Sequence, residues 1–439
     1  MDIIWRNNSS DDVYEEARLA RVFTARHPDH HPTAIVRAKS ESDVVEAVRL
    51  AQNLNLQVNV RSGGHSYPGW SLSDNSILID VGDYREIKVD VAKKEAWISS
   101  GMKSDIDMEL MKEYGLILGA GHHPGVGIGG YLLQGGLSWN CRGWGWTCER
   151  VKALDVVTAD GRLVRCSSDE HSDLFWAARG LDLVDFPGVV TQFQVQLLPA
   201  PKAFITSGYT FPKAQILDAF NWVLGLIPAF DEDTEISAVC KFPDGIDEIC
   251  LTVSFITMKD SAEAAWNVLQ PAHLTRPKGA ILEWFFREDS FEKEYANEVS
   301  AFPGGRRWLA DNAFLNNEAD VAAFLEELCM SITDKHFALL WYPLAPQSLR
   351  PLPDMAFSLR SDHYIGTYAL YESEDDDEKC QSWMQATAAK LEPFRTGSFS
   401  GETDFRVREV KCWGDDQFAK LTEIRQRWDP DGRICGPLQ

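Results

Sequence analysis

Arg61-Ser62-Gly63-Gly64-His65-Ser66 sets two adjacent glycines directly before a histidine. Glycines at such a place permit positive φ and let the backbone approach a ligand closely. Successive amides in such a turn form a nest for an anion, and His65 would then touch whatever the anion carries. The plain alternative is a tight surface turn with a solvated histidine. A second segment, Gly121 through Gly136, holds seven glycines. Gly125, Gly127 and Gly130 match G-x-G-x-x-G, and Glu149 stands about 20 residues on, which invites a nicotinamide-dinucleotide reading. Context argues against it: Gly135 and Gly136 would break the helix such a fingerprint must open, and WNCRGWGWTCER, not a strand, precedes Glu149. A glycine-dense loop of this length suits a backbone wrapped against an extended cofactor.

Short strands and helices must carry these loops. SESDVVEAVRLAQN (40–53) begins with a Ser40/Asp43 capping pattern and has apolar residues near helical spacing. LQVNV (56–60) is a strand candidate that runs straight into the Gly63-Gly64 turn, followed by SILIDV (76–81) and KEAWISSG (94–101) as strands and SDIDMELMKEYG (104–115) as a helix. DVVTADGRLVRC (155–166) is a hairpin turning at Asp160-Gly161, and GVVTQFQVQLLP (188–199) a further strand. After Pro199 the texture changes: 202–211, 235–242, 249–257, 336–344 and 355–371 look like strands with helices in separate runs between them. That points to an α+β second domain on an antiparallel sheet. EDDDEK (374–379) reads as a solvated loop or helix start, and DDQFAKLTEIRQRW (415–428) as a last helix stopped by Asp429-Pro430.

Length and composition narrow the function classes. With 439 residues, 44% of them apolar and 25% charged, the chain is an ordinary multi-domain globular sequence. Lysine and arginine number 43 against 66 aspartate and glutamate, a net charge of −23, which disfavours nucleic acid and anionic membrane surfaces as partners. No basic-then-apolar leader and no membrane-length apolar run is seen. Nine cysteines, an odd number without Cys-x-x-Cys, argue for reduced thiols. The expectation is a cytoplasmic protein. His65, His122 and His123 do not form a metal set, since adjacent histidines share no face; Trp139, Trp144 and Trp146 are expected to pack the glycine-rich region.

In their joint order, RSGGHSYPG, HPGVGIGG, QGG, DLFWAARG and GVVTQFQVQL resemble the flavoprotein oxidases of the vanillyl-alcohol oxidase superfamily. Within it they are similar to the berberine-bridge-enzyme-like group and to its shorter 6-hydroxy-D-nicotine oxidase type. Residues 33–199 carry the resemblance, with weaker marks at AFSLRSDHY (356–364) and FAKLTEIRQRWDPDGRI (418–434). It implies an α+β, two-domain PCMH-type FAD-binding fold with an inserted substrate domain on an antiparallel sheet. Residues 1–200 and 399–439 would form the FAD-binding domain and 201–398 the substrate domain. It further implies FAD joined covalently to His65, with Arg61, Ser62, Gly63, Gly64, Ser66, Gly69, His123, Pro124, Gly125, Val126, Gly127, Gly129, Gly130, Gly135, Gly136, Glu149, Val151, Gly188 and Val189 around it. Many relatives bind flavin a second time through a cysteine; His123 stands at that position, so one link is expected. A small residue at Val126, on the side where oxygen arrives, is associated with oxidases.

The sequence also departs from the family pattern. Arg179 to Gly188 is bulkier and one residue longer than usual, SFSGETDF lacks the family's tyrosine, and the chain ends at ICGPLQ without the asparagine-rich tail. For proton transfer there remain Tyr364 and Tyr368, four apart on one strand face that Arg360 would share, and Ser400, Glu402 and Asp404 in alternation. The catalytic expectation falls on Tyr364, Tyr368 and Glu402; the bland alternative is packing tyrosines and solvated carboxylates. The implied activity is oxidation of a small organic substrate at C–OH, C–N or activated C–H, with O2 reduced to hydrogen peroxide. A flavin dehydrogenase with another acceptor, and a flavin-binding scaffold or cyclase, stay open, as do substrate identity and oligomeric state.

Overall fold

A computed structural model describes residues 1–180, 186–405, 408 and 410–435. The segment 181–185, inside the unusual stretch after Arg179, and residues 436–439 of the C-terminal ICGPLQ lie outside the described residues.

The N-terminal part builds two sheets. The first has the order Asp2–Trp5, Ala34–Arg37, Ser76–Asp80, Gln57–Arg61, with the last three strands parallel. The helix Glu41–Leu54 crosses from Ala34–Arg37 to Gln57–Arg61, the two strands that flank Ser76–Asp80. Ser40 caps that helix by accepting the Asp43 amide at 3.2 Å, as its sequence requires. Val44, Ala47, Val48 and Ala51 pack on Val58, Ile77 and Ile79 in one core. The second sheet runs Ile87–Asp90, Glu95–Ser99, Gly188–Gln196, Val151–Thr158, Leu163–Ser167, all antiparallel. Val157 and Val189 tie it to the first core. The helix Asp415–Trp428 returns to this part, with Leu421 and Ile424 in the same cluster as Leu154, Val156 and Phe193. Beyond it the Val58 amide donates to the Arg433 carbonyl and the Cys435 amide to the Val58 carbonyl, both at 2.8 Å.

Between these parts lies one antiparallel sheet of eight strands. Its order is Leu282–Glu288, Ala203–Pro212, Cys250–Lys259, Thr234–Lys241, Phe337–Pro343, His363–Tyr371, Arg307–Leu315, Arg395–Gly397. Helices Ile216–Leu226, Ala262–Thr275, Val321–Met330 and Asp377–Leu391 cover one face. The α+β, PCMH-type architecture is thus present.

Three local readings are corrected. The strand expected over 355–371 begins at His363; before it, Phe357 turns inward onto Trp146, ring centroids 4.3 Å apart, and its amide donates to the Arg179 carbonyl. Arg360, exposed and donating to the Arg350 carbonyl, therefore shares no strand face with the tyrosines. Ser400, Glu402 and Asp404 do not alternate along a strand, because Ser400–Glu402 is a 3-10 turn. Among the described residues no helix is long and apolar enough to cross a membrane.

Candidate active site

Two loops meet to form one wall of a cavity of about 310 Å3. The strand Gln57–Arg61 delivers the first, and the short helix Ile128–Leu133 follows the second. They touch through glycines: a Cβ on Gly63 would lie 2.4 Å from the Gly127 nitrogen, and one on Gly127 would lie 2.2 Å from the Gly63 nitrogen. Any side chain here would drive the loops apart. Gly64 takes φ = 68°, the left-handed region where glycine is at home. Arg61 is spent behind the wall, donating to Asp80 at 2.8 and 3.0 Å and to the Ala17 and Arg18 carbonyls at 2.7 and 2.6 Å. It braces the loop's entry, and its guanidinium is not offered to the cavity.

His65 stands between Phe23 and His123, with ring centroids 3.8 and 4.4 Å away. The Gly125 amide donates to His123 Nδ1 at 3.0 Å, so that nitrogen is an acceptor. His65 Nε2, also 3.0 Å from it, must then be the donor. With the proton on Nε2, Nδ1 is the lone-pair nitrogen of His65. Burial holds both imidazoles below their ordinary range, His65 well below and His123 at about 4, so both rings are neutral at pH 7.

The facing wall is the open side of the eight-stranded sheet. Strand alternation assigns the two faces. Val239, Leu340, Tyr342 and Tyr368 line the cavity, whereas Ala238, Cys240, Leu339, Trp341, Ile365 and Ala369 enter the helix-covered core. Glu402 arrives from the turn Ser400–Glu402, which Asn312 holds in place: its Nδ2 donates to the Phe399 carbonyl at 2.8 Å and to Thr403 Oγ1 at 3.0 Å, and its Oδ1 accepts the Phe399 amide at 2.6 Å. The Glu402 carboxylate accepts the Tyr368 hydroxyl at 2.6 Å and the Tyr364 hydroxyl. Burial raises Glu402 above the usual carboxylate range, although both hydroxyls oppose the shift. Burial, with Glu402 adding, also pushes Tyr364 and Tyr368 well above theirs. A carboxylate with raised pKa that accepts from two phenols is placed to take a proton and share it across three oxygens.

A histidine–carboxylate pair flanks this group. His122 Nε2 lies 3.0 Å from Glu235 Oε2, which also accepts the Asn140 amide at 2.7 Å. His122 packs between Trp139 and Tyr342, ring centroids 4.4 and 5.4 Å away. Burial disfavours its charge, yet Glu235 outweighs burial and raises its pKa.

Of the residues singled out in the sequence, Arg61 to Ser66, Gly69, His123, Val126, Gly127, Gly129, Gly130, Gly188, Val189, Tyr368 and Glu402 line the cavity, and Tyr364 joins through Glu402. Pro124, Gly125, Gly135, Gly136, Glu149 and Val151 do not line it. Glu149 turns to the Trp146 amide and to Arg350, both at 2.8 Å, and Val151 is buried in a sheet core. Trp139 and Trp146 are buried packing residues. Sequence reasoning missed Tyr67, Glu235, Glu298, Phe302 and Tyr342. Tyr67, two residues past His65, had a positional signal; Glu235 heads the strand expected over 235–242, and no local pattern marks Glu298.

Residues 32–167 match the family described as FAD binding domain. The chain is 33% identical to FAD-linked oxidoreductase ptmO of Penicillium ochrochloron over 98% of this chain and 95% of that protein. BBE-like 1 of Physcomitrella patens superposes with a TM-score of 0.86 at 18% identity, covering 99% of this chain and 96% of the other. 6-Hydroxy-D-nicotine oxidase of Arthrobacter nicotinovorans gives a TM-score of 0.83 at 21% identity, over 99% and 96%.

Proposed function

The chain belongs to the FAD-linked oxidoreductases, and from that premise we propose that it is an oxidase with FAD joined once, through His65, acting on a small organic substrate and passing the electrons to O2 to give hydrogen peroxide. In this reading residues 1–200 and 399–439 hold FAD and residues 201–398 hold the substrate. The cavity wall suits such a group. Ser100 Oγ is buried there without a partner, and among the described residues no acceptor takes the amides of Gly63, Gly64 or Ser66. When bound, FAD supplies the acceptor for a hydride from the substrate. This chain's own part is to seat the substrate between the glycine loops and the sheet and to accept its proton at Glu402.

The observation that carries the reading is the neutral His65 at the glycine turn, lining one cavity with Glu402 and Tyr368. His123 stands where a cysteinyl link would otherwise form, and Cys141 and Cys148 are buried in other clusters; no flavin-cysteinyl peptide is expected in a digest. The test is peroxide release during a screen of alcohols, amines and sugars, with anaerobic bleaching of the flavin by any hit. Bleaching without peroxide would favour another acceptor; no bleaching by any compound would favour a scaffold.

Val126 lines the cavity and packs at the edge of the second sheet's core. An added methylene in a close-packed wall removes the little space that O2 needs; the rival outcome is a loss of stability of roughly 1–3 kcal/mol through overpacking. Val126→Leu is therefore expected to slow reoxidation of the reduced enzyme in air while leaving reduction by substrate unchanged. Stopped-flow measurement of both half-reactions checks this; equal slowing of the two would reduce Val126 to a packing residue.

A further inference from the structure

Glu298, on the helix Phe291–Ala301, also lines the cavity. The other carboxylate lining it, Glu402, is engaged by two tyrosine hydroxyls, and Glu235, just outside, by His122 and the Asn140 amide. Glu298 has no hydrogen-bond or ion-pair partner for its carboxylate among the described residues; its neighbours act on it through space alone. Burial, with Glu235, Glu294 and Glu402 adding and His122 opposing, raises its carboxyl to about 7. Such a group is costly to leave without a ligand.

The surroundings say which ligand. The wall contributed by residues 237–402 carries no lysine or arginine. His122, which acts on Glu298 through space, is paired with Glu235. Aromatic rings supply the rest: Phe302 and Tyr67 stand edge-on to Tyr368 at 5.4 and 6.3 Å, and Glu298 acts through space on Tyr67 and Tyr342. Aromatic faces beside a carboxylate attract an ammonium group, and they repel a carboxylate or phosphate. A net charge of −23 on the whole chain draws cations in the same sense.

We propose that Glu298 is a specificity-determining residue that anchors a positively charged nitrogen, so that the substrate carries an ammonium group and anionic molecules are excluded. This rests on the reading of the cavity as the substrate site. A nitrogen held as a cation withholds its lone pair from the adjacent C–H bond, which then does not release hydride readily. The bond oxidised is accordingly a separate one, at the Glu402 end, and the two carboxylates divide the work: Glu298 holds charge and Glu402 takes the proton.

The test is calorimetric titration of the flavin-loaded protein with choline, with dimethylbutanol as its uncharged carbon isostere, and with dimethylbutanoate as the anion. Choline is expected to bind about tenfold tighter than the alcohol, and the anion not at all. Glu298→Gln, which keeps shape and removes charge, should erase that preference while leaving the alcohol's affinity unchanged. The wild-type ranking stands as a test even if the variant folds poorly. Equal or weaker binding of choline, binding of the anion, or a preference that survives Glu298→Gln would each overturn the assignment. Protein that takes up no flavin would instead sink the reading of the site, and it is recognised beforehand by its absorbance.

Discussion

His65→Ala should leave the acid-precipitated protein colourless, where the wild type keeps yellow, fluorescent flavin on the denatured chain. The wild-type digest should contain one peptide, spanning His65, that carries the mass of FAD. The chemical ground is the state of the ring. Burial keeps His65 neutral, and the Gly125 amide at His123 Nδ1 forces the proton onto His65 Nε2. The Nδ1 lone pair is thereby left free to bond. Alanine removes that nitrogen and also the stacking on Phe23, a contact worth about 0.5–1.5 kcal/mol. Such a loss lowers the melting temperature modestly and leaves the fold, so a folded variant by circular dichroism must accompany the result. His123→Ala keeps the nitrogen but frees the ring, and a reduced covalent fraction is expected in place of none. Covalent flavin recovered at full yield from His65→Ala would place the link elsewhere.

How much of this site was legible in the sequence depends on whether the signal was local. The glycine turn before His65 and the loop through Gly127 are runs of adjacent residues, and their mutual contact explains why glycine is needed at both. The cap at Ser40 and the final helix were equally local and were read closely. Arg307–Leu315 was not, because buried Asp311 and Asn312 interrupt its apolar pattern. Their partners, Arg408 on Asp311 and the Phe399 backbone on Asn312, lie far along the chain. Asn312 nonetheless sets the turn that presents Glu402. Glu235 and Glu298 failed for a related reason: no local pattern marks them until the sheet and the helix Phe291–Ala301 bring one beside His122 and the other into the cavity wall. Glu149, placed beside the flavin by the resemblance alone, has its side chain tied to Arg350.

The second large effect expected is at Glu402. Glu402→Gln keeps an oxygen for the two tyrosine hydroxyls but cannot accept a proton. If Glu402 is the proton acceptor, flavin bleaching by substrate should slow by about a hundred- to ten-thousandfold, while substrate affinity changes little. The pH profile supplies a sign. Burial raises the Glu402 pKa, so the ionised, competent form is present above that raised value and is lost as pH falls through it. The wild-type bleaching rate should therefore decline on the acid side, and this limb should vanish in Glu402→Gln. Tyr368→Phe, which removes the hydroxyl 2.6 Å from the carboxylate, takes away one donor that favours ionisation and should move the acid limb to higher pH. Were Glu402 merely a brace for the tyrosines, glutamine would hold them as well: the rate would fall less than about tenfold and the acid limb would persist. Rapid-mixing traces across pH for the wild type and both variants separate the two roles.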